Sequence, residues 1–144
     1  MKNLLLIPLF FIFNLNVIGQ IQDTTCICNK QHPIKNMAFI VEDMAVYPGG
    51  NEALKKLIQT NIELDSTSIG KVSIFFIINC KGQTCGYSVV NKRGKLPANT
   101  EQQLLEAFGK MKIWQPAKQN GNAVDMSFTV LMTVIDGTMS FDNL

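Results

Sequence analysis

The chain has 144 residues, of which 47% are apolar and 17% are charged, and its formal net charge is +2. This length and apolar content suit one compact domain with a hydrophobic core, and they exclude intrinsic disorder as its main state. The small charge argues against a nucleic-acid-binding module, and a single histidine, His32, argues against most histidine-based catalytic sites.

The first 19 residues have the pattern of a secretory signal peptide. Lys2 gives a short positive start, and an apolar run follows from Leu4 to Phe13. This run is shorter than the ~20 apolar residues of a membrane-spanning helix. Val17 and Gly19 then supply small side chains before a cleavage site. We therefore expect a periplasmic or secreted protein after removal of residues 1–19, and an uncleaved membrane anchor is the alternative.

The mature chain begins with a polar, irregular arm, residues 20–36, which contains two of the four cysteines. An even number of cysteines in an oxidising compartment predicts disulfides. The candidates are Cys26, Cys28, Cys80 and Cys85. A metal site that combines the arm's cysteines with His32 is the alternative, but the paired C-x-x-C spacing of zinc modules is absent.

A strand and a helix open the predicted domain, which spans residues 37–136. Met37 to Val41 is an apolar run that predicts a short strand. The turn residues Tyr47 to Gly50 stop it, and Asn51 is a candidate N-cap for the helix that follows. The helix should end near Asn61. Its apolar face consists of Leu54, Leu57, Ile58 and Ile62.

A hairpin is predicted in the middle of the chain. Residues 71–79 are apolar on both faces, which is typical of a central strand. A turn follows in which Gly82 takes a positive φ, and residues 83–91 form the return strand. Residues 91–99 read as a solvated loop.

This hairpin restricts the disulfide pairing. Cys85 should face Ile77 or Ile78 across the ladder, too far from Cys80 for a bridge between the two cysteines. We therefore expect a bridge from Cys26 or Cys28 to the hairpin, and the connectivity stays open.

The last third of the chain predicts a second helix and a long strand. Thr100 with Gln103 fits a capping box for a helix over 100–111. Residues 114–122 read as a loop, and 123–135 alternate between apolar and polar residues, as in a strand with one buried face. Residues 137–144 are expected to be a loose tail. The element order predicts an α+β domain, with two helices on one face of a small, mainly antiparallel sheet.

Three motifs in this order resemble the C-terminal domain of TonB, in the standalone form found in some Gram-negative bacteria. They are Y-P-G-G, the hairpin turn ending in glycine, and W-Q-P-A-K-Q-N-G before an alternating strand. The resemblance covers residues 37–136. The motif residues, to which we assign structural roles, are Tyr47, Pro48, Gly49, Gly50, Gly82, Trp114, Pro116 and Gly121.

The resemblance implies a periplasmic domain that takes an extended peptide of an envelope protein or an outer-membrane receptor onto its sheet. TonB itself also transmits force for transmembrane transport, from an uncleaved anchor through a long Pro-rich linker. Here only Pro33 lies between the apolar segment and the first strand. Glu106 and Lys112 stand where the family usually has Arg and often has Pro. We carry over the fold and the peptide binding, but not the energy transduction.

The last strand should lie beside 71–79 and offer an open edge for strand addition, unless 37–41 covers it. The predicted peptide-binding residues are Val124, Asp125, Met126, Ser127, Phe128, Thr129 and Val130. A basic segment, Lys92 to Lys95, is the next candidate, for a peptide, phosphate or peptidoglycan. We expect no catalytic residue, cofactor, metal or nucleic acid. The alternatives are a membrane-anchored energy-coupling subunit and a secreted structural or inhibitory domain.

Overall fold

The computed structural model describes residues 26–28 and 41–144. The predicted strand 37–41, except its last residue, and the predicted signal peptide lie outside the described residues. The elements, in chain order, are α1 (Gly50–Thr60), β1 (Ile69–Ile78), β2 (Thr84–Lys95), α2 (Thr100–Gly109), β3 (Ala117–Gln119), β4 (Asn122–Val124), β5 (Met126–Ile135) and β6 (Thr138–Phe141). The predicted α+β class is confirmed.

The main sheet has four strands in the order β2-β1-β5-β6, and all its pairs are antiparallel. As predicted, β1 is central, with the hairpin partner β2 on one side and β5 on the other. Phe76 lies at the centre of the core, 5.5 Å from the ring of Phe108 on α2 and 5.6 Å from Phe128 on β5, measured between ring centroids. Leu54 and Ile58 of α1 are fully buried in the same core.

Both predicted helix caps are wrong. Helix α1 begins one residue before Asn51, because Gly49 takes a left-handed φ of 89° and serves as the N-cap. At α2 the N-cap is Asn99, and the hydroxyl of Thr100 donates instead to the carbonyl of Pro97, at 2.8 Å. Gln103 does not close a capping box, since its side-chain oxygen accepts the backbone N–H of Glu63 at 2.8 Å.

Strand β2 is longer than predicted and continues through residues 91–95, which the sequence assigned to a loop. The extension forms because β1 begins at Ile69 and offers a register partner to each of residues 91–95. Gly70 lies opposite Gly94, where a Cβ on either residue would meet the other strand's backbone. The two glycines therefore permit a close approach that side chains would prevent.

The predicted last strand is two strands. Residues 122–124 pair with 117–119 in a small hairpin, so part of the expected loop 114–122 is ordered as β3. Asn120 and Gly121 form its turn with φ of 50° and 72°, the conformation of a tight hairpin loop. Asp125 separates this hairpin from β5, and it was wrongly assigned to the interior of a strand.

The expected loose tail is also wrong, because residues 138–141 form β6. This strand pairs with Met132–Ile135 through a turn in which Asp136 and Gly137 have positive φ. The side chain of Met139 is buried in the core. The end of the chain is therefore part of the sheet.

Candidate functional site

The predicted binding edge on β5 is mostly occupied. Beyond the pairing with β6, the N–H of Asp142 donates to the carbonyl of Leu131 at 2.9 Å. The side chain of Asn143 accepts the N–H of Leu131 at 2.9 Å and donates to the carbonyl of Thr129 at 2.6 Å. Alternation leaves the backbone of Ser127 and the N–H of Thr129 pointing away from β1 without a partner among the described residues.

The other predicted residues of that edge have different positions. Val124 belongs to β4, whereas Met126 and Val130 are buried in the core and Phe128 packs against it. The side chain of Asp125 accepts backbone N–H groups from Cys80, at 2.9 Å, and from Cys28, at 3.2 Å. It holds the arm and the hairpin turn together.

The longer open edge lies on β2, where no described strand pairs with the outer side. Residues 90–95 are all exposed. The backbone N–H and C=O of Leu131 point toward the C-terminal tail, so those of the even-numbered residues of β5 point toward β1. Even-numbered residues of β5 lie opposite even-numbered residues of β1. The backbone groups of the odd-numbered residues of β1 therefore point toward β2. Lys71 is opposite Arg93, so the N–H and C=O groups of Lys92 and Gly94 point outward.

Basic side chains surround this edge on the sheet face that carries no helix. Arg93 and Lys71 are directly opposite each other on that face, and Lys95 follows two residues after Arg93. Lys71 and Arg93, but not Lys95, border a cavity of about 220 Å³. The residues that line this cavity include Lys71, Ser73, Asn91, Arg93, Leu131 and Asp142. In the sequence, only the run of basic residues from Lys92 to Lys95 indicates this site, and it is the second candidate for binding.

The prediction of disulfides is confirmed, and Cys80 and Cys85 do not bridge each other, as expected. Cys26 bridges to Cys85 and Cys28 bridges to Cys80, with Cα–Cα distances of 6.4 Å and 6.0 Å. Cys85 lies opposite Ile77, as expected. The sulfur atoms of both arm cysteines are engaged in these bridges, so the alternative metal site with His32, which lies outside the described residues, would lack two ligands.

The bridges fix the arm on the helix-free face of the sheet. Ile27 is buried there against Ile77 and Cys85, in a small apolar cluster separate from the main core. The side-chain amide of the buried Asn79 donates to the carbonyl of Cys26 at 2.8 Å. Residues 26–28 cover the turn end of this face, whereas the basic residues lie toward the opposite end.

Three of the motif residues, Tyr47, Gly82 and Trp114, make contacts within the fold. Trp114 is only 4% exposed, and its ring packs edge-on against Tyr47 with centroids 5.2 Å apart, which favours a core role over a stacking platform. Gly82 has a φ of 76°, and its carbonyl accepts the N–H of Trp114 at 2.9 Å. Val46, which precedes the Y-P-G-G motif, pairs with Gln115 of the W-Q-P segment through reciprocal backbone hydrogen bonds.

Among the described residues, two titratable groups have shifted pKa values, and neither borders the cavity beside Lys71 and Arg93. Burial raises the pKa of Tyr87, partly offset by its hydrogen bond with Thr84. Hydrogen bonds from Thr67 and Ser68 lower the pKa of Asp65. Burial against the core explains the shift at Tyr87, and hydrogen bonds within one turn explain the shift at Asp65, so both are typical of structural positions.

No family model, curated protein or solved structure matches this chain. Across residues 26–28 and 41–144, no helix is long and apolar enough to cross a membrane. Two disulfides are typical of proteins that fold in an oxidising compartment.

Proposed function

We propose that this protein is an exported, TonB C-terminal-like binding module that takes an extended peptide of an envelope or outer-membrane partner onto its sheet. One observation supports this most directly: β2 ends in six exposed residues, and Lys92 and Gly94 direct unpaired backbone groups outward. An edge of this kind accepts a further strand through main-chain hydrogen bonds.

The proposal assigns the peptide to β2 rather than to the β5 edge. The C-terminal residues already occupy β5 from Thr129 to Ile135. The remaining stretch offers only the groups of Ser127 and one N–H of Thr129. By contrast, β2 is 12 residues long, and no described backbone group bonds to the outer side of its final residues.

Proline substitution tests this assignment. Lys92→Pro removes one outward N–H, and an edge strand tolerates proline where the N–H faces solvent. Random heptapeptides displayed on phage should be enriched on the wild-type domain and on Lys92→Ala, which keeps the N–H, but not on Lys92→Pro. Ser127→Pro, the matched change on β5, should still select peptides. Circular dichroism verifies that each variant is folded.

Two results would contradict the proposal. Equal enrichment on folded Lys92→Pro and on the wild type would exclude β2. Loss of enrichment on Ser127→Pro alone would assign the peptide to β5.

The proposal also includes export with removal of residues 1–19. The intact mass of the protein recovered from the periplasm should correspond to a chain that begins at Gln20. A mass that includes residues 1–19 would support the anchored alternative instead.

A further inference from the structure

Two like charges face each other across the ladder beside the proposed binding edge. Lys71 on β1 and Arg93 on β2 are register partners. Val72 is buried in the core, so its neighbour Lys71 points to the helix-free face, and Arg93 shares that face. Like charges directly opposite each other destabilise a sheet. The pair therefore costs stability unless an anion lies between or beside the two side chains.

The described residues do not supply that anion. Their one ion pair is Lys55 with Glu52 on α1, far along the chain from this cluster. Asp142 borders the same cavity and accepts the hydroxyl of Thr133, at 2.9 and 3.1 Å, but its carboxylate lies too far from Lys71 and Arg93 to form an ion pair with either. Lys95 differs from the pair, because it lies near the carboxylate of Asp65 and donates to Thr67.

The position of the pair relates it to the edge. A strand added to β2 lies about 4.7–4.9 Å from it, and residues directly opposite each other share a face of the sheet. The peptide residue opposite Arg93 would project its side chain over the helix-free face, toward the cavity. The planar guanidinium of Arg93 offers paired donors to a carboxylate, and Lys71 reaches the same space from the far side.

We infer that the peptide recognised by β2 carries an acidic residue opposite Arg93, whose carboxylate neutralises Arg93 and Lys71 together. This inference rests on the proposed function and adds the chemistry of the ligand to it. Strand addition itself is independent of side chains, so the acidic residue supplies the selectivity and the backbone of β2 supplies the pairing.

The same heptapeptide selection tests this inference. Peptides selected on the wild-type domain should share Asp or Glu at one aligned position. Selection on Arg93→Gln should remove that preference, whereas Lys56→Gln, which removes a charge from the exposed face of α1, should preserve it. A selected acidic peptide should bind Arg93→Gln or Lys71→Gln about threefold to tenfold more weakly than the wild type, and less tightly as salt is added.

The outcomes separate the two proposals. Peptides that depend on the N–H of Lys92 but show no acidic preference would overturn this inference and leave strand addition intact. If no peptide is enriched more strongly on the wild-type domain than on Lys92→Pro, strand addition at β2 itself is overturned. An equal loss of affinity in Lys56→Gln and Arg93→Gln would indicate a general charge effect and would also overturn the inference. In thermal melts, Arg93→Gln and Lys71→Gln should each be at least as stable as the wild type, because each removes one charge of the like-charge pair.

Discussion

Gly82 joins the hairpin turn to the core. Its N–H donates to the carbonyl of Asn79 at 2.8 Å, while its own carbonyl accepts the N–H of Trp114. A Cβ built on it would lie 1.9 Å from the carbonyl oxygen of Trp114. Two requirements therefore act on this one residue, a positive φ and the close approach of another backbone segment.

Gly82→Ala should destabilise the domain by about 3–5 kcal/mol, because the Trp114 segment must move and lose its bond to the turn. Gly121→Ala is the matched control. That residue has a similar φ of 72° but nothing within 4 Å of its Cβ position, so only the conformational cost of about 1–2 kcal/mol applies. Urea denaturation of both variants measures the difference. Equal losses of stability would show that the contact with Trp114 is unimportant.

The two disulfides constrain nearly the same stretch of the chain. They join residues 59 and 52 positions apart, and one loop lies inside the other. Once either bridge has closed, the other constrains only a short additional stretch of chain. Because the entropy of closure grows with the length of the loop, the second bridge adds much less than the first.

We predict that removing the bridges is not additive. Replacing Cys26 and Cys85 by Ser, or Cys28 and Cys80 by Ser, should each cost clearly less than half of what all four replacements cost, which should be about 2–4 kcal/mol. Guanidinium denaturation of the three variants gives the comparison. If the two pairwise losses sum to the loss in the fourfold variant, the bridges stabilise the domain independently.

Strand order was predictable from the sequence, whereas strand ends were not. The apolar residues on both faces of 71–79 identified the central strand and thus its two neighbours. The polar residues 91–95 carried no strand pattern, because both their faces are solvated beyond the helices. The tail 138–141 was too short to show a period, and its pairing depends on the turn at Asp136.

The prediction that β5 offers an open edge was wrong for a related reason. The alternation of residues 124–134 correctly indicated one buried face, but alternation does not reveal which hydrogen-bonding side of a strand remains open. That side is determined by β6 and by Asn143, whose contacts with β5 are tertiary. The absence of a bridge between Cys80 and Cys85 was predictable because it required only the register of one hairpin, Cys85 against Ile77, whereas the choice of partner for each arm cysteine was not.

At the scale of the whole molecule, the sheet separates the hydrophobic core from the proposed binding edge. One face carries both helices and the core around Phe76. The other face has residues 26–28 of the arm at the turn end and exposed basic residues at the far end, next to the open edge of β2. The packing that stabilises the fold therefore leaves the proposed binding edge free of helices and of the arm residues that the structure describes.

Amide hydrogen exchange with a selected peptide bound tests strand addition most directly, because it reports on the backbone groups that the peptide should pair with. We predict that the N–H groups of Lys92 and Gly94 exchange at least about tenfold more slowly in the complex, whereas those of Ser127 and Thr129 keep their rates. Protection of Ser127 and Thr129 with unchanged exchange at Lys92 and Gly94, or no change at any of the four, would contradict binding at the β2 edge.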